Sequence, residues 1–180
     1  IYTLWHTLSL HDAFRSAIAE VIVLEMIYGN KLSDNLASSS LIDLPEWYLK
    51  GLTSYLSEDW NIETESRVKA DILNQRYKKF NRLSGDDAIY AGHSFWKYIN
   101  DYYGGSVISD IINLTRINKN ANTALISVLG VSFKDLTAQW LSYYQEYFND
   151  DFANYYTIPG NAIPVNHKTD RVIYQSRVNQ

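Results

Sequence analysis

The chain has 180 residues, of which 46% are hydrophobic and 20% are charged. These proportions are typical of a folded globular domain and exclude an intrinsically disordered chain. The net charge of −4 at pH 7 disfavours binding to the phosphate backbone of nucleic acid, and the absence of cysteine excludes disulfides, cysteine-ligated metals and thiol nucleophiles.

No apolar run approaches the roughly 20 residues that a membrane-spanning helix needs, so we expect no transmembrane segment. No signal peptide is visible either. Because the chain begins at Ile1 without a methionine, we interpret it as part of a longer or processed protein, in which a missing signal peptide is uninformative.

The first part of the chain is predicted to hold one long helix. Residues 1–8 alternate weakly, which predicts a short strand or an extended arm. Ser9 and Asp12 resemble a capping box, so a helix is expected from about residue 10 to 28, ended by Gly29. Its expected apolar stripe is Ala13, Ala17, Ile18, Val21, Ile22, Leu24 and Glu25.

The next segments are predicted as a loop and two helices. Residues 31–43 are polar and serine-rich, as in a loop. Pro45 suits the first turn of a helix, in which Trp47, Leu49, Leu52, Tyr55 and Leu56 share one face. Residues 63–83 form an amphipathic pattern with a charged, solvated face. The inward positions of that pattern are Val68, Ile72, Leu73, Tyr77 and Phe80.

Four further helices complete the prediction, over 85–103, 107–114, 120–129 and from Ser132 to about 149. Gly130 is predicted to end the third of them and Ser132 to cap the fourth. The fold class is therefore mainly α, with a multi-helix domain over residues 1–149. Residues 150–180 contain Pro159, Gly160 and Pro164 and then a strand-like segment. They are predicted to be a linker and first strand that lead to, or pack on, a β domain.

Several segments, in order, resemble the peptidase MA family of gluzincin-like metallopeptidases. The segment Pro45–Tyr55 is similar to the family's Pro-x-Trp helix, which supplies the last zinc ligand. Ile18–Val23 resembles its apolar-His-Glu-x-x-His segment. The likeness extends through Tyr90–Ile99 and through the ending Ala124–Trp140, and it spans about residues 15–147.

The resemblance implies the helical part of a zincin-like fold, with a site where two histidines and a carboxylate hold zinc beside a general base. Here the three ligand positions read Ala19, Val23 and Lys50, and only the base position survives, as Glu20. Alkyl side chains offer no lone pair and an ammonium has no acceptor. We therefore expect no metal, no cofactor and no catalytic residue.

The family's geometry leaves two arrangements open for Lys50. It projects toward Glu20 and takes the electrostatic place of the metal, or it reaches solvent while Glu20 lies on the helix surface. The predicted binding residues around the cleft are Lys50, Glu20, Trp47, Tyr48, Tyr90 and His93, with Phe95 and Trp96 nearby. The aromatic members of this set suit a core as well as a binding surface.

The implied function is a non-catalytic pseudo-peptidase domain. It would serve as a binding or scaffold module for a protein or peptide partner in the bacterial cell envelope or periplasm, of the kind that precedes TolB-like β-propellers. One alternative is a zinc metallopeptidase with ligands rewired to His93, His11, Glu20 or Glu46. Another is a structural subunit of an envelope complex. A replacement metal site that includes His6 is disfavoured, because His6 and His11 are poorly spaced to share a helix face.

Overall fold

The computed structural model describes the backbone of residues 2–29 and 44–155, and the side chains of residues 11, 13–29 and 44–149. Within these ranges the chain forms seven α-helices, one short 3₁₀ helix and no strand, which confirms a mainly α, multi-helix domain. The helices are α1 (Tyr2–Tyr28), α2 (Glu46–Ser57), α3 (Ile62–Leu73), the 3₁₀ helix (Phe80–Arg82), α4 (Gly85–Tyr103), α5 (Gly105–Asn118), α6 (Ala121–Leu129) and α7 (Phe133–Tyr155).

Helix α1 begins much earlier than predicted. It starts at Tyr2, so the extended arm predicted for the first residues is wrong, and Ser9 lies inside the helix instead of capping it. Residues 2–10 contain neither Gly nor Pro, so nothing in their backbone chemistry interrupts a helix. Gly29 ends α1 as predicted, in the left-handed conformation with φ of +67°.

The side of α1 that packs on the protein is also not the predicted one. Ala19, Val23 and Ile27 are buried, at the four-residue spacing that defines one helix face. The predicted stripe is largely exposed: of its seven residues only Leu24 is partly buried, and the exposed ones are Ala13, Ala17, Ile18, Val21, Ile22 and Glu25. Because α1 carries apolar residues all round, periodicity does not select the buried face.

Helix α3 is shorter than predicted and its charges are not all solvated. It ends at Leu73, which is 64% exposed, although Val68, Ile72, Tyr77 and Phe80 are buried as predicted. Asp71 is only 3% exposed. Its carboxylate accepts hydrogen bonds from the Arg67 guanidinium at 2.9 Å and the Tyr77 hydroxyl at 3.0 Å. Arg67 also reaches Asp87 of α4, so these charges join two helices.

The starts and ends of the remaining helices compare with the predicted ones as follows. Helix α4 begins and ends as predicted, while α5 extends beyond the predicted 107–114 at both ends. Ser132 caps α7: its Oγ accepts from the Asp135 N–H at 3.2 Å and donates to the Asp135 carboxylate at 2.6 Å. Helix α7 continues to Tyr155, past the predicted domain end at residue 149. The predicted loop at 31–43 and the predicted strand lie outside the described residues.

Helices α2 and α4 cross at two glycines in the centre of the domain. A Cβ atom on Gly51 would lie 2.3 Å from the Cα of Gly92, and one on Gly92 would lie 2.2 Å from the Trp47 carbonyl oxygen. No larger residue fits this crossing without moving a backbone. Helix α1 packs across α2 and α5. In the described part of the chain, no helix has the length and apolarity to cross a bilayer.

Candidate functional site

The four positions of the metallopeptidase-like motif do not form one polar site. Ala19 and Val23 are 6% and 1% exposed, so both alkyl side chains belong to the packed face of α1. Glu20 and Lys50 are exposed. Among the described residues, no group of three or more His, Asp or Glu side chains is close enough together to hold a metal ion.

Lys50 does not pair with Glu20. Its ammonium contacts the Glu46 carboxylate at 2.5 Å, one turn earlier on α2. That carboxylate also accepts from the Gly85 N–H at 3.1 Å, at the start of α4. The hydrogen bond from Lys50, then that from Gly85, lowers the pKa of Glu46 below its ordinary value. Of the two arrangements left open for Lys50, the structure shows the second: Lys50 and Glu20 are both exposed, and Lys50 pairs with a carboxylate four residues away on its own helix.

Two of the predicted binding aromatics are core residues. Trp47 and Tyr48 are both fully buried. The Trp47 indole donates to Asn81 Oδ1 at 2.9 Å, and the Tyr48 hydroxyl is 2.9 Å from Thr115 Oγ1. Burial raises the pKa of Tyr48 well above its usual range. Their polar atoms are satisfied internally, so neither side chain is available to a partner in this structure.

The third predicted aromatic, Tyr90, is half-buried beside α3. The Arg67 guanidinium lies 5.6 Å from its ring centroid, a distance suited to a cation–π contact. Phe95 and Trp96 are fully buried. Of the predicted aromatic set, only Tyr90 keeps part of its surface accessible.

His93 is a buried histidine with a defined partner. It is 1% exposed, and its Nδ1 forms a hydrogen bond of 2.9 Å with Ser54 Oγ. The rings of Tyr55 and Trp60 lie at 5.9 and 5.6 Å between centroids. Burial, and secondly the Lys97 ammonium, lowers the pKa of His93 to about 4. The imidazole is therefore neutral at physiological pH and ties α4 to α2.

Ala19 instead lines a groove between α1, α2 and α5, which we call the α1 groove. It has a volume of about 620 Å³. Its apolar lining includes Ile18, Ala19, Ile22, Met26, Leu56 and Ile108. Among the described lining residues Arg15 is the only charged one, with Ser57, Asn100 and Ser109 as polar neighbours. The described lining of this groove can hold an apolar segment.

The groove continues into a wider apolar surface on α1. Ile18 and Ile22 are 43% and 47% exposed, and Leu56 of α2 is 47% exposed. Phe14 and Val21, at 65% and 60%, lie on the same helix. Contiguous exposed apolar side chains of this kind mark interaction surfaces in folded proteins. The sequence signal for this surface was present in the stripe predicted for α1, but it was assigned to the core.

Comparison with protein-family models, with curated proteins and with solved structures found no match for this chain. The resemblance to the peptidase MA family therefore remains a prediction from the motifs.

Proposed function

We propose that this chain is a non-catalytic binding module whose α1 groove holds an apolar segment of a protein partner. The observation that carries the proposal is the exposed apolar surface formed by Phe14, Ile18, Val21 and Ile22. Burying such side chains in a complex gains roughly 25 cal/mol for each Å² of apolar surface removed from water. The setting in a bacterial cell-envelope protein is supported by the motif resemblance alone.

The chemistry at the motif positions supports binding over catalysis. Ala19, which stands where the family has a zinc-binding histidine, contributes a methyl group to the α1 groove. Lys50, at the carboxylate position, is held at the surface by Glu46. The positions that would bind a metal thus supply an apolar wall and an ion pair.

The groove also indicates what kind of segment it would take. Its lining is apolar except for the cationic Arg15 and three uncharged polar residues. A complementary segment carries apolar side chains for Ile18 and Ile22 and a carboxylate for Arg15. Such a charge fixes the orientation of a bound segment more than it adds affinity.

The test is selection of peptides from a displayed random library on the purified chain, followed by calorimetric titration of the selected peptides. We expect binders rich in apolar residues, with an affinity that falls by at least about tenfold when Ile18 and Ile22 are both replaced by Asp. Arg15→Gln should weaken the binding of only those peptides that contain an acidic residue.

The control replaces two exposed apolar residues away from the groove, Ile62 and Ile117, with Asp. This variant should bind as the wild type does. Failure to select any binder, or equal weakening by both double variants, would contradict the proposal. Zinc-dependent cleavage of the peptides that disappears in Glu20→Gln would instead establish the metallopeptidase alternative.

A further inference from the structure

A second cavity shares no lining residue with the α1 groove. It lies between α7 and the turns that connect α3 to α4, and its volume is about 800 Å³. The floor is apolar and consists of Ile72, Phe80, Phe133, Trp140 and Leu141. We call it the cationic cavity, because its lining also includes Lys78, Lys79, Arg82 and Lys134.

The lining of this cavity is positively charged, whereas the whole chain has a net negative charge. Although the chain has a net charge of −4, the described residues that line the cavity include four cations and no Asp or Glu. Ion pairs between described residues engage cations outside the cavity, among them Lys50, Arg67, Arg76 and Lys97. Clustered positive charge beside a low-dielectric wall concentrates anions.

One residue of the lining, Trp140, carries a buried polar atom without a partner. Trp140 is 2% exposed, and its indole N–H is the one buried side-chain polar atom that lacks a hydrogen-bond partner among the described residues. A buried donor left unsatisfied has an unfavourable free energy relative to one that is hydrogen-bonded. An acceptor oxygen in the cavity would reach this N–H only after a movement of the surrounding side chains, because the nitrogen has almost no accessible surface.

The walls of the cavity are held in place before any ligand binds. Phe80 is buried and its ring lies 5.0 Å from the Trp140 ring and 5.1 Å from the Trp47 ring. The next residue, Asn81, accepts the Trp47 indole hydrogen bond. The turn that carries the cations is therefore anchored in the core, which lowers the ordering cost of binding.

We propose that the cationic cavity binds a small organic anion, with its apolar body on the aromatic floor and its carboxylate or phosphate among Lys78, Lys79, Arg82 and Lys134. The volume falls within the range of about 300 to 1,000 Å³ that small-molecule sites occupy. The anion is a free molecule and not a headgroup in a bilayer, since its apolar part must enter the cavity.

The test uses octanoate as the probe and the full chain with its five tryptophans. Proton–nitrogen spectra resolve the indole N–H signals, and Trp140→Phe identifies the relevant one. We expect octanoate to shift the Trp140 signal saturably with one site per chain, and 1-octanol to bind at least about tenfold more weakly. Replacing both Lys79 and Lys134 with Gln should lower the affinity for octanoate by at least about tenfold.

The matched control removes the same charge elsewhere, by Arg116→Gln with Lys119→Gln on and after α5, and should leave octanoate binding unchanged. All four substituted cations are exposed, so folding should not be affected. The proposal fails if octanoate leaves the Trp140 signal in place, if octanol binds equally well, or if both double variants behave alike. Binding to phosphatidylglycerol vesicles without any response to octanoate would also overturn it. None of these results depends on the α1 groove.

Discussion

The residue that most clearly changes role between sequence and structure is His93. It was a candidate for binding, or for a rewired metal site, and the structure places it in the core, bonded to Ser54. A neutral buried histidine disfavours protonation, so its pKa of about 4 lies below the ordinary 6.5. Between these values the unfolded chain binds a proton that the folded chain does not.

His93 should therefore make the fold sensitive to acid. Its contribution is fully present above pH 6.5 and is lost as the pH falls toward 4, by about 3 kcal/mol at the lower end. His93→Gln should reduce the difference in unfolding free energy between about pH 7 and about pH 4, measured by urea denaturation. His11→Gln, on the exposed surface of α1, is the control. An unchanged pH dependence in His93→Gln would show that the imidazole is not the group responsible.

Among the helix contacts, the crossing of α2 and α4 leaves the least room for an added side chain. Alanine favours a helix by about 1 kcal/mol over glycine, yet Gly51→Ala should destabilise the protein by about 3 kcal/mol. The reason is that the added Cβ would meet the backbone of Gly92 at 2.3 Å, and neither helix can yield without disturbing the core. Thermal and urea unfolding measure the loss.

Gly105, the first residue of α5, serves as the control for that substitution. A Cβ atom on Gly105 would meet only the side-chain oxygen of Asn100, at 2.9 Å. Since a side chain can rotate away, Gly105→Ala should change the unfolding free energy by less than about 1 kcal/mol. Equal effects at Gly51 and Gly105 would contradict the close-crossing explanation.

The helix ends that a glycine or a capping serine marks were predictable, because they depend on local chemistry. Gly29, Gly104 and Gly130 all adopt positive φ at helix ends, and Ser132 forms its capping box. The face of α1 was not predictable, since apolar side chains surround that helix. The pairing of Lys50 with Glu46 was readable from their four-residue spacing, whereas the geometry of the resembling family left a pairing with Glu20 open as one of two arrangements.

At the scale of the whole molecule, the two cavities lay beyond sequence reasoning. The cationic cavity joins residues 78–82 to Lys134, which are far apart in the chain and are brought together by the packing of Phe80 on Phe133 and Trp140. The α1 groove similarly depends on three helices whose mutual placement no local pattern encodes. Fold class follows from composition and periodicity, whereas concave sites follow from tertiary packing.

The burial of Trp47, Trp96 and Trp140 gives this protein an intrinsic optical reporter. Each is at most 2% exposed, and the Trp47 and Trp96 rings lie 6.3 Å apart. Indoles shielded from water fluoresce at shorter wavelength than hydrated ones, so we expect a blue emission maximum that moves to the red in urea. Two fixed indoles this close should also give near-ultraviolet circular dichroism that vanishes when their mutual orientation is lost. Loss of both signals at one denaturant concentration would mark a single cooperative core.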